Sequence, residues 1–233
     1  MNKLITINLS YYNQSREILM KHINEWREFP KEFFTFFIID DGSKIPIHKI
    51  LKNEKLDFDL HIYRVKKDLY CNIAGVRNLG AKECKTPWMI ILDMDTVISK
   101  EMGYKKINLS QKNINNNIVF KFNRKVLDNI NHIKNNKFHP AVCLIRKKDY
   151  WNIGGCEEDL VGHYGYTDPS FWYRAKDKVK IKFISDLYLL YYPEGEAEIN
   201  RDSKRNKLLF EYKKKLNNWS KNFIRFEWEK IKI

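Results

Sequence analysis

Two apolar segments, each followed directly by paired carboxylates, constrain the fold of this chain most strongly. The run from 33 to 39 leads into Asp40 and Asp41, and the run from 88 to 92 leads into Asp93-Met94-Asp95. Short apolar runs of this kind predict buried strands. In an open α/β sheet the carboxyl ends of parallel strands share one edge, where ligands bind. Aspartate also favours turns, so either pair alone would fit a capped turn after a strand.

Alternating strand and helix patterns in the first 100 residues predict βαβ units. The fold class expected is therefore α/β, with a mainly parallel, Rossmann-like central sheet flanked by helices. Predicted strands cover residues 4–9, 33–40, 62–65, 88–92, 118–122, 142–145 and 181–184. Predicted helices cover residues 15–26, 74–84 and 168–176. The segment 108–137 is rich in Asn and Lys, and it is predicted to be loop interrupted by one strand.

The spacing of Asp93 and Asp95 suits a divalent cation. Two carboxylates separated by one residue offer hard oxygen donors, which Mg²⁺ and Mn²⁺ prefer. Both ions usually keep part of their coordination shell for phosphate and water. The sequence therefore predicts Mg²⁺ or Mn²⁺ at this strand end, held together with a phosphate-bearing substrate.

Four segments in order resemble glycosyltransferase family 2, the nucleotide-sugar enzymes with the GT-A fold. They are residues 7–13, 40–43, 75–80 and 93–95. Two later segments, 154–159 and 163–168, resemble galactosyltransferase-type members of that class. The resemblance spans roughly residues 3 to 195, which is most of the chain.

The resemblance implies a role for each matching residue. It implies direct displacement with inversion, with Asp168 as the general base and Glu158 and Asp159 as less favoured alternatives. It implies a metal site at Asp95 with Asp93 beside it. The residues implied to bind the nucleotide-sugar are Tyr11, Tyr12, Asn13, Asp40, Asp41, Arg77 and Asp93.

Two departures from the family pattern leave alternatives open. Thr167 stands where the family usually has an acid, which leaves Asp168 as the only carboxylate of that pair. The family often supplies a late histidine as a metal ligand, but residues 187–193 contain none. His163 is the expected substitute, in preference to His139. Arg77 could instead be an ion-pair partner of Asp41, and Asp168 could cap the helix that follows it.

The C-terminal segment has its own pattern. Apolar residues recur at steps of three or four, which predicts an amphipathic helix over 201–233; they are Leu208, Tyr212, Leu216, Trp219, Phe223 and Phe226. Residues 204–233 carry ten Lys or Arg against three Glu, in a chain of net charge +14. Either the stripe packs on the domain and the basic face is solvated, or the surface meets a polyanion such as anionic lipid or nucleic acid.

The chain is predicted to be one domain. Residues 1–100 form the nucleotide-binding half, 101–200 the acceptor-binding half and 201–233 the basic helix. Apolar runs fall well short of the roughly 20 residues that span a bilayer, so we expect no membrane segment and no signal peptide. Four cysteines without a close pair predict reduced thiols. The expected compartment is the cytosol of a bacterium, or of a host cell if the gene is viral, with the protein either free or peripheral to a membrane.

Three functions fit this sequence. The first is an inverting transferase that moves a sugar from a nucleoside diphosphate, with UDP favoured, to a hydroxyl of a glycan or lipid-linked glycan. The second uses a hydroxymethylated base of DNA as acceptor. The third is a catalytically silent module that binds a nucleotide-sugar or a glycan.

Overall fold

The computed structural model describes residues 3–127 and 133–232 as a mixed α/β fold with one central sheet. The strands are β1 (Ile5–Tyr11), β2 (Phe34–Asp40), β3 (Leu60–Val65), β4 (Trp88–Asp93), β5 (Thr96–Val97), β6 (Ile118–Leu127), β7 (Ile133–Arg146), β8 (Lys180–Tyr191) and β9 (Trp228–Ile231). The helices are α1 (Arg16–Arg27), α2 (Ile47–Ile50), α3 (Ile73–Glu83), α4 (Lys100–Lys112), α5 (Lys147–Ile153), α6 (Thr167–Ala175) and α7 (Lys204–Leu216). Short 3₁₀ turns cover Glu158–Leu160 and Pro193–Gly195.

The sheet combines a parallel block with a mixed extension, in which β6 and β8 pair parallel. Its order within the described residues is β5-β8-β6-β7-β4-β1-β2-β3-β9. Strands β3, β2, β1 and β4 run parallel, as the sequence predicts for the first 100 residues. Beyond them, β7 pairs antiparallel with β4, β6 antiparallel with β7, and β9 antiparallel with β3. The parallel block places the carboxyl ends of β1, β2 and β4 along one edge.

Apolar side chains fill both faces of the sheet. Every residue of β1 and β2 is buried, as expected for strands covered on two sides. On one face Trp26 of α1 stacks on Phe36 at 4.8 Å between ring centroids. On the other face α3 and α5 pack against the sheet through residues such as Val76 and Tyr150. Ser15 caps α1, because its hydroxyl accepts a hydrogen bond from the Ile18 amide.

The second half of the chain is more regular than its composition suggests. The prediction of a loop over 108–137 is wrong for most of the described residues in that range. Helix α4 continues to Lys112, β6 covers Ile118–Leu127 and β7 begins at Ile133. Residues 128–132 of that prediction lie outside the described part. Among the described residues, no helix has the length and apolar character needed to cross a bilayer.

The helix predicted over 201–233 is also wrong in its extent, because α7 ends at Leu216. Asn217 takes the left-handed conformation with φ of 48°, which closes the helix. The chain then crosses the domain and enters β9, at the edge of the parallel block. Phe226 packs so closely on α3 that a Cβ added at Gly75 would lie 2.4 Å from its ring.

Candidate active site

A cavity of about 470 Å³ opens at the carboxyl edge of the parallel block. Strand register places its first residues side by side, because Tyr11 pairs with Asp40 and Ser10 with Asp93. Predicted site residues that line the cavity are Tyr11, Tyr12, Asp41, Arg77, Asp93, Asp95, His163 and Asp168. The volume lies within the range of small-molecule binding sites.

Arg77 joins two of the predicted site carboxylates. Its Nη2 lies 2.9 and 3.0 Å from the two oxygens of Asp93, and its Nη1 lies 2.6 Å from Oδ1 of Asp168. The Arg77 side chain is buried at 4% exposure, with Asp93 and Asp168 at 22% and 29%. Burial raises the pKa of Asp93, but the charge and the hydrogen bonds of Arg77 outweigh this and leave it below its usual value. The alternative pairing of Arg77 with Asp41 is therefore wrong.

Asp168 lies in the first turn of α6, where the alternative reading made it the helix cap. That reading is wrong, because the N-cap residue is Tyr166 and no side chain caps this helix. Arg77 binds Oδ1 of Asp168, and among the described residues no hydrogen bond reaches Oδ2. Asp168 therefore presents one carboxylate oxygen to the cavity.

Asp93, Asp95 and His139 form the group that could hold a metal ion. Their ligand atoms lie within 4.8 Å of one another. The expectation that His163 would supply the third ligand is wrong: it lines the cavity but does not belong to this group. The reason lies in strand pairing, since β4 pairs with β7 from Trp88–Arg146 to Ile91–Cys143. If this register continues for four more residue pairs beyond Ile91–Cys143, His139 lies opposite Asp95.

The carboxylates fit a cation better than the imidazole does. Oδ1 of Asp95 is buried without a hydrogen-bond partner, and burial raises the pKa of Asp95. His139 Nδ1 accepts hydrogen bonds from the amides of Ala141 and Val142, so the ring proton lies on Nε2. That nitrogen faces Asp95 Oδ1 at 3.5 Å, which is too long for a well-formed hydrogen bond. A cation between the carboxylates would satisfy the unpaired oxygen.

Asp41 also lines the cavity. It accepts hydrogen bonds from the backbone amide and the side-chain Nδ2 of Asn72, each at 3.1 Å. Burial raises the pKa of Asp41 to about 7, an effect that the bonds from Asn72 only partly offset. Asp41 therefore changes charge near neutral pH while facing a ligand-sized space.

Asp40 and Asn13 are not brought to the cavity, contrary to the sequence expectation. The Asp40 carboxylate is fully buried and accepts hydrogen bonds from the amides of Ser43 and Ile47 and from Arg64. Asn13 is exposed, and its side chain accepts from the amide of Lys44. Both residues shape the turn after β2, because their hydrogen-bonding groups are used within it.

The acidic segment 157–159 holds the C-terminal segment and does not face the cavity. Glu158 accepts from Asn78 at 2.7 Å and from the amide of Ile224 at 2.7 Å. Asp159 pairs with Lys213 and Arg225, and these two charges lower its pKa against the opposing effect of burial. Glu158 and Asp159 are thereby removed as alternative bases.

Further cavity residues come from β6 and from the segment around the end of β8, where the sequence shows no motif. Arg124 lies 4.7 Å above the ring of Tyr191, and Arg201 lies 5.6 Å from the ring of Tyr164 and pairs with Glu196. Sequence reasoning missed both arginines, since neither stands in a recognisable pattern. They contribute two cations to this wall of the cavity, which also carries Glu196.

Gly195 allows the segment after β8 to lie directly on Asp95. A Cβ at this position would lie 2.4 Å from the carbonyl oxygen of Met94 and 2.6 Å from Cα of Asp95. The Tyr192 amide also donates to the carbonyl of Asp95 at 2.8 Å. The segment that carries Glu196 and Arg201 therefore follows directly from a backbone contact with the strand end that carries Asp93 and Asp95.

The parallel block, the mixed extension and the carboxylates at the strand ends define an α/β domain of the GT-A type. The chain belongs to glycosyl transferase family 2, whose model matches residues 6–176.

Relatives agree with this assignment. A teichoic acid poly(glycerol phosphate) polymerase of Staphylococcus epidermidis is 30% identical over 95 residues, which cover 41% of this chain and 13% of that protein. The crystal structure of S. aureus TarS 1–349 matches with a TM-score of 0.65 and 17% identity, over 82% of this chain and 60% of that one. TarS 1–349 in complex with UDP-GlcNAc matches with a TM-score of 0.67 and 16% identity, over 87% and 61%. The chain thus spans a small part of the curated relative and about three fifths of the solved one.

Proposed function

We propose that this chain transfers a sugar from a nucleoside diphosphate, with UDP as the favoured nucleotide, to a hydroxyl group of a glycan or lipid-linked glycan. The observation that carries the proposal is the Arg77 bridge, which brings Asp93 and Asp168 to one cavity that Asp41 also lines. The TarS complexes with UDP and UDP-GlcNAc support the donor class. The teichoic acid polymerase relative supports a glycan-type acceptor.

The donor would lie along the carboxyl ends of the strands. Asp41, when ionised, would accept a hydrogen bond from an N–H of the base or a hydroxyl of the ribose. Tyr11 and Tyr12 would lie under the nucleoside, and Arg77 would orient the carboxylates next to the phosphates. Residues 1–100 would then be the nucleotide-binding half and 101–200 the acceptor-binding half of one domain.

Asp93 and Asp95 would hold Mg²⁺ or Mn²⁺. The unpaired, buried Oδ1 of Asp95 supports this assignment. When bound, the cation would stabilise the negative charge that develops on the departing diphosphate. Arg77 would keep Asp93 ionised at neutral pH, because its charge lowers the pKa of that carboxyl against the effect of burial.

Asp168 would be the general base of an inverting displacement. The acceptor hydroxyl loses a proton as it attacks the anomeric carbon, so a carboxylate within hydrogen-bond reach of that hydroxyl is needed. Arg77 holds Oδ1 and thereby fixes the carboxylate, while Oδ2 can accept the proton. Direct displacement on the face opposite the leaving diphosphate gives inversion.

Replacement of Asp168 by Asn tests this role. We expect turnover to fall by roughly 10² to 10⁴, the range for loss of a positioned base, with donor affinity little changed. The melting temperature should fall modestly, because Arg77 keeps Asp93 but loses one ionised partner. Asp177→Asn, in the exposed turn that follows the same helix, is the matched control. A stable Asp168→Asn enzyme with near-normal sugar transfer would remove Asp168 from the mechanism.

The two other hypotheses make separate predictions. A DNA acceptor, motivated by the net charge of +14, requires binding to duplex DNA that weakens steeply with salt. A catalytically silent module, motivated by Thr167 and the missing late histidine, would bind donor without hydrolysing it when Mn²⁺ is added.

The four cysteines are free thiols, which supports action in a reducing compartment such as the cytosol.

A further inference from the structure

Helix α7 exposes an apolar stripe to solvent. Leu208, Tyr212 and Leu216 are spaced four residues apart and therefore lie along one side of the helix. Their exposed fractions are 74%, 60% and 52%. These three side chains are called the α7 stripe. Exposed apolar side chains grouped in this way mark an interaction surface more often than isolated ones do.

The opposite face already attaches α7 to the domain. Asn206 and Phe210 are buried, and Nδ2 of Asn206 lies 2.9 to 3.0 Å from the carbonyl oxygens of Leu160, His163 and Gly165. The Phe210 ring lies 5.5 Å from the ring of Tyr166. Because these contacts fix the rotation of the helix, the α7 stripe cannot turn inward without breaking them. The sequence alternative in which the stripe packs on its own domain is therefore wrong for these three residues.

Lysines border the α7 stripe. The helix contains six Lys or Arg and one Glu; Lys213 is buried, the other six charged residues are exposed, and Lys214 pairs with Glu211. By helical geometry Lys204 and Lys215 project on the same side as Leu208. An apolar stripe bordered by lysines suits the boundary between headgroups and acyl chains of an anionic bilayer. Nucleic acid would use the lysines but not the apolar side chains, and a second copy would bring like charges together.

We propose that the α7 stripe and its bordering lysines dock this protein on an anionic membrane surface. Binding would combine insertion of Leu208, Tyr212 and Leu216 with attraction of the lysines to lipid phosphates. The transferase chemistry proposed above is not required for this docking.

Docking would also bear on the acceptor. Helix α7 begins three residues after Arg201, which lines the cavity, and Asn206 holds the loop that contributes His163 and Gly165 to it. A docked α7 would therefore hold the cavity close to the lipid surface. This favours a lipid-linked acceptor over a soluble one, a consequence that rests on the proposed function.

Vesicle co-sedimentation of the full chain tests the docking. The vesicles would contain phosphatidylcholine alone, or phosphatidylcholine with about one quarter phosphatidylglycerol. We expect binding to the anionic vesicles only. Replacing the α7 stripe by three serines, or Lys204, Lys207 and Lys215 by glutamine, should each weaken binding on the order of tenfold or more. All six residues are exposed, so unfolding by urea should remain that of the wild type.

Ile45→Ser with Ile114→Ser is the matched control, because both residues are exposed and apolar but lie outside α7. It should bind vesicles as the wild type does. Equal binding to neutral vesicles, undiminished binding by the triple serine variant, or a dimer that dissociates on that substitution would each overturn the proposal. UDP binding by calorimetry is measured in the same variants. Vesicle binding without UDP binding would retain the docking surface and refute the proposed transferase.

Discussion

Replacing Arg77 by methionine should destabilise the protein in a pH-dependent manner. Arg77 is buried and is the ion-pair partner of both Asp93 and Asp168. Removing one partner from a buried ion pair typically costs about 3–5 kcal/mol. Asp93 and Asp168 retain 22% and 29% exposure, which allows some hydration. We therefore expect a loss of about 2–4 kcal/mol in the free energy of unfolding near pH 8.

The stability that Arg77→Met loses relative to wild type should become smaller as pH falls. In the wild type the pKa of Asp93 is lowered from 3.8, so its contribution is fully present above that value and is lost as pH falls through the lower, folded-state pKa. In the variant, burial acts on Asp93 without Arg77 and should raise its pKa. The folded variant then binds more protons than the unfolded chain, so acid stabilises it relative to the wild type. The difference between the two proteins should therefore be smaller near pH 5 than near pH 8.

Urea unfolding followed by tryptophan fluorescence measures both quantities. Arg16→Met is the matched control: its side chain is 59% exposed in the ion pair with Glu54, so we expect little loss of stability and little pH dependence. Arg77→Lys keeps the charge but loses the planar guanidinium group, so its free energy of unfolding should lie between those of the wild type and Arg77→Met. An Arg77→Met protein within about 1 kcal/mol of wild type near pH 8, or one whose deficit grows in acid, would refute the account of this ion pair.

Three further predictions concern the cavity. UDP affinity should weaken as pH falls below about 7, because the pKa of Asp41 is raised to about 7 and the protonated acid no longer accepts a hydrogen bond from a base N–H. Calorimetry across pH should show this weakening, and Asp41→Asn should abolish it. In Asp95→Asn, donor turnover should no longer respond to Mn²⁺. The variant should unfold no more easily than wild type, since it removes a buried carboxylate whose Oδ1 is unpaired. Preserved Mn²⁺ dependence would exclude Asp95 as a ligand. Gly195→Ala should also reduce the Mn²⁺ response of donor turnover, on the order of tenfold, because the alanine Cβ would lie 2.4 Å from the carbonyl oxygen of Met94. Unchanged kinetics would show that the backbone relaxes freely around this contact.

The sequence predicts the parallel block well because its signals are local. Strands β2 and β4 are apolar runs buried on both faces, and the acidic residues at their ends mark where they stop. Helix α4 was missed for a physical reason. Lys106 lies on its buried face, over the ring of Phe122 at 4.4 Å, so the apolar periodicity is broken where the helix packs. Burial lowers the pKa of Lys106 to about 7, which shows how unusual the position is.

Other parts of the site depend on contacts between distant residues. His139 reaches Asp95 only because β7 pairs antiparallel with β4, and no spacing in the sequence encodes that register. The C-terminal periodicity was misleading in a different way. Trp219, Phe223 and Phe226 continue the helical step, yet Asn217 ends α7 and these side chains pack in an irregular segment. The pattern identified the apolar residues correctly but could not locate the backbone break.

The position of β9 has a consequence for folding during synthesis. It covers the outer edge of β3, so a strand at 228–231 completes a sheet edge formed by residues 60–65. While the ribosome makes the intervening 160 or so residues, at roughly 5–20 residues per second, the backbone groups of that edge have no partner strand. Unpaired strand edges are sites of association between nascent or partly folded chains. Aggregation of this protein in the cell should therefore depend on how quickly the last strand is delivered to β3.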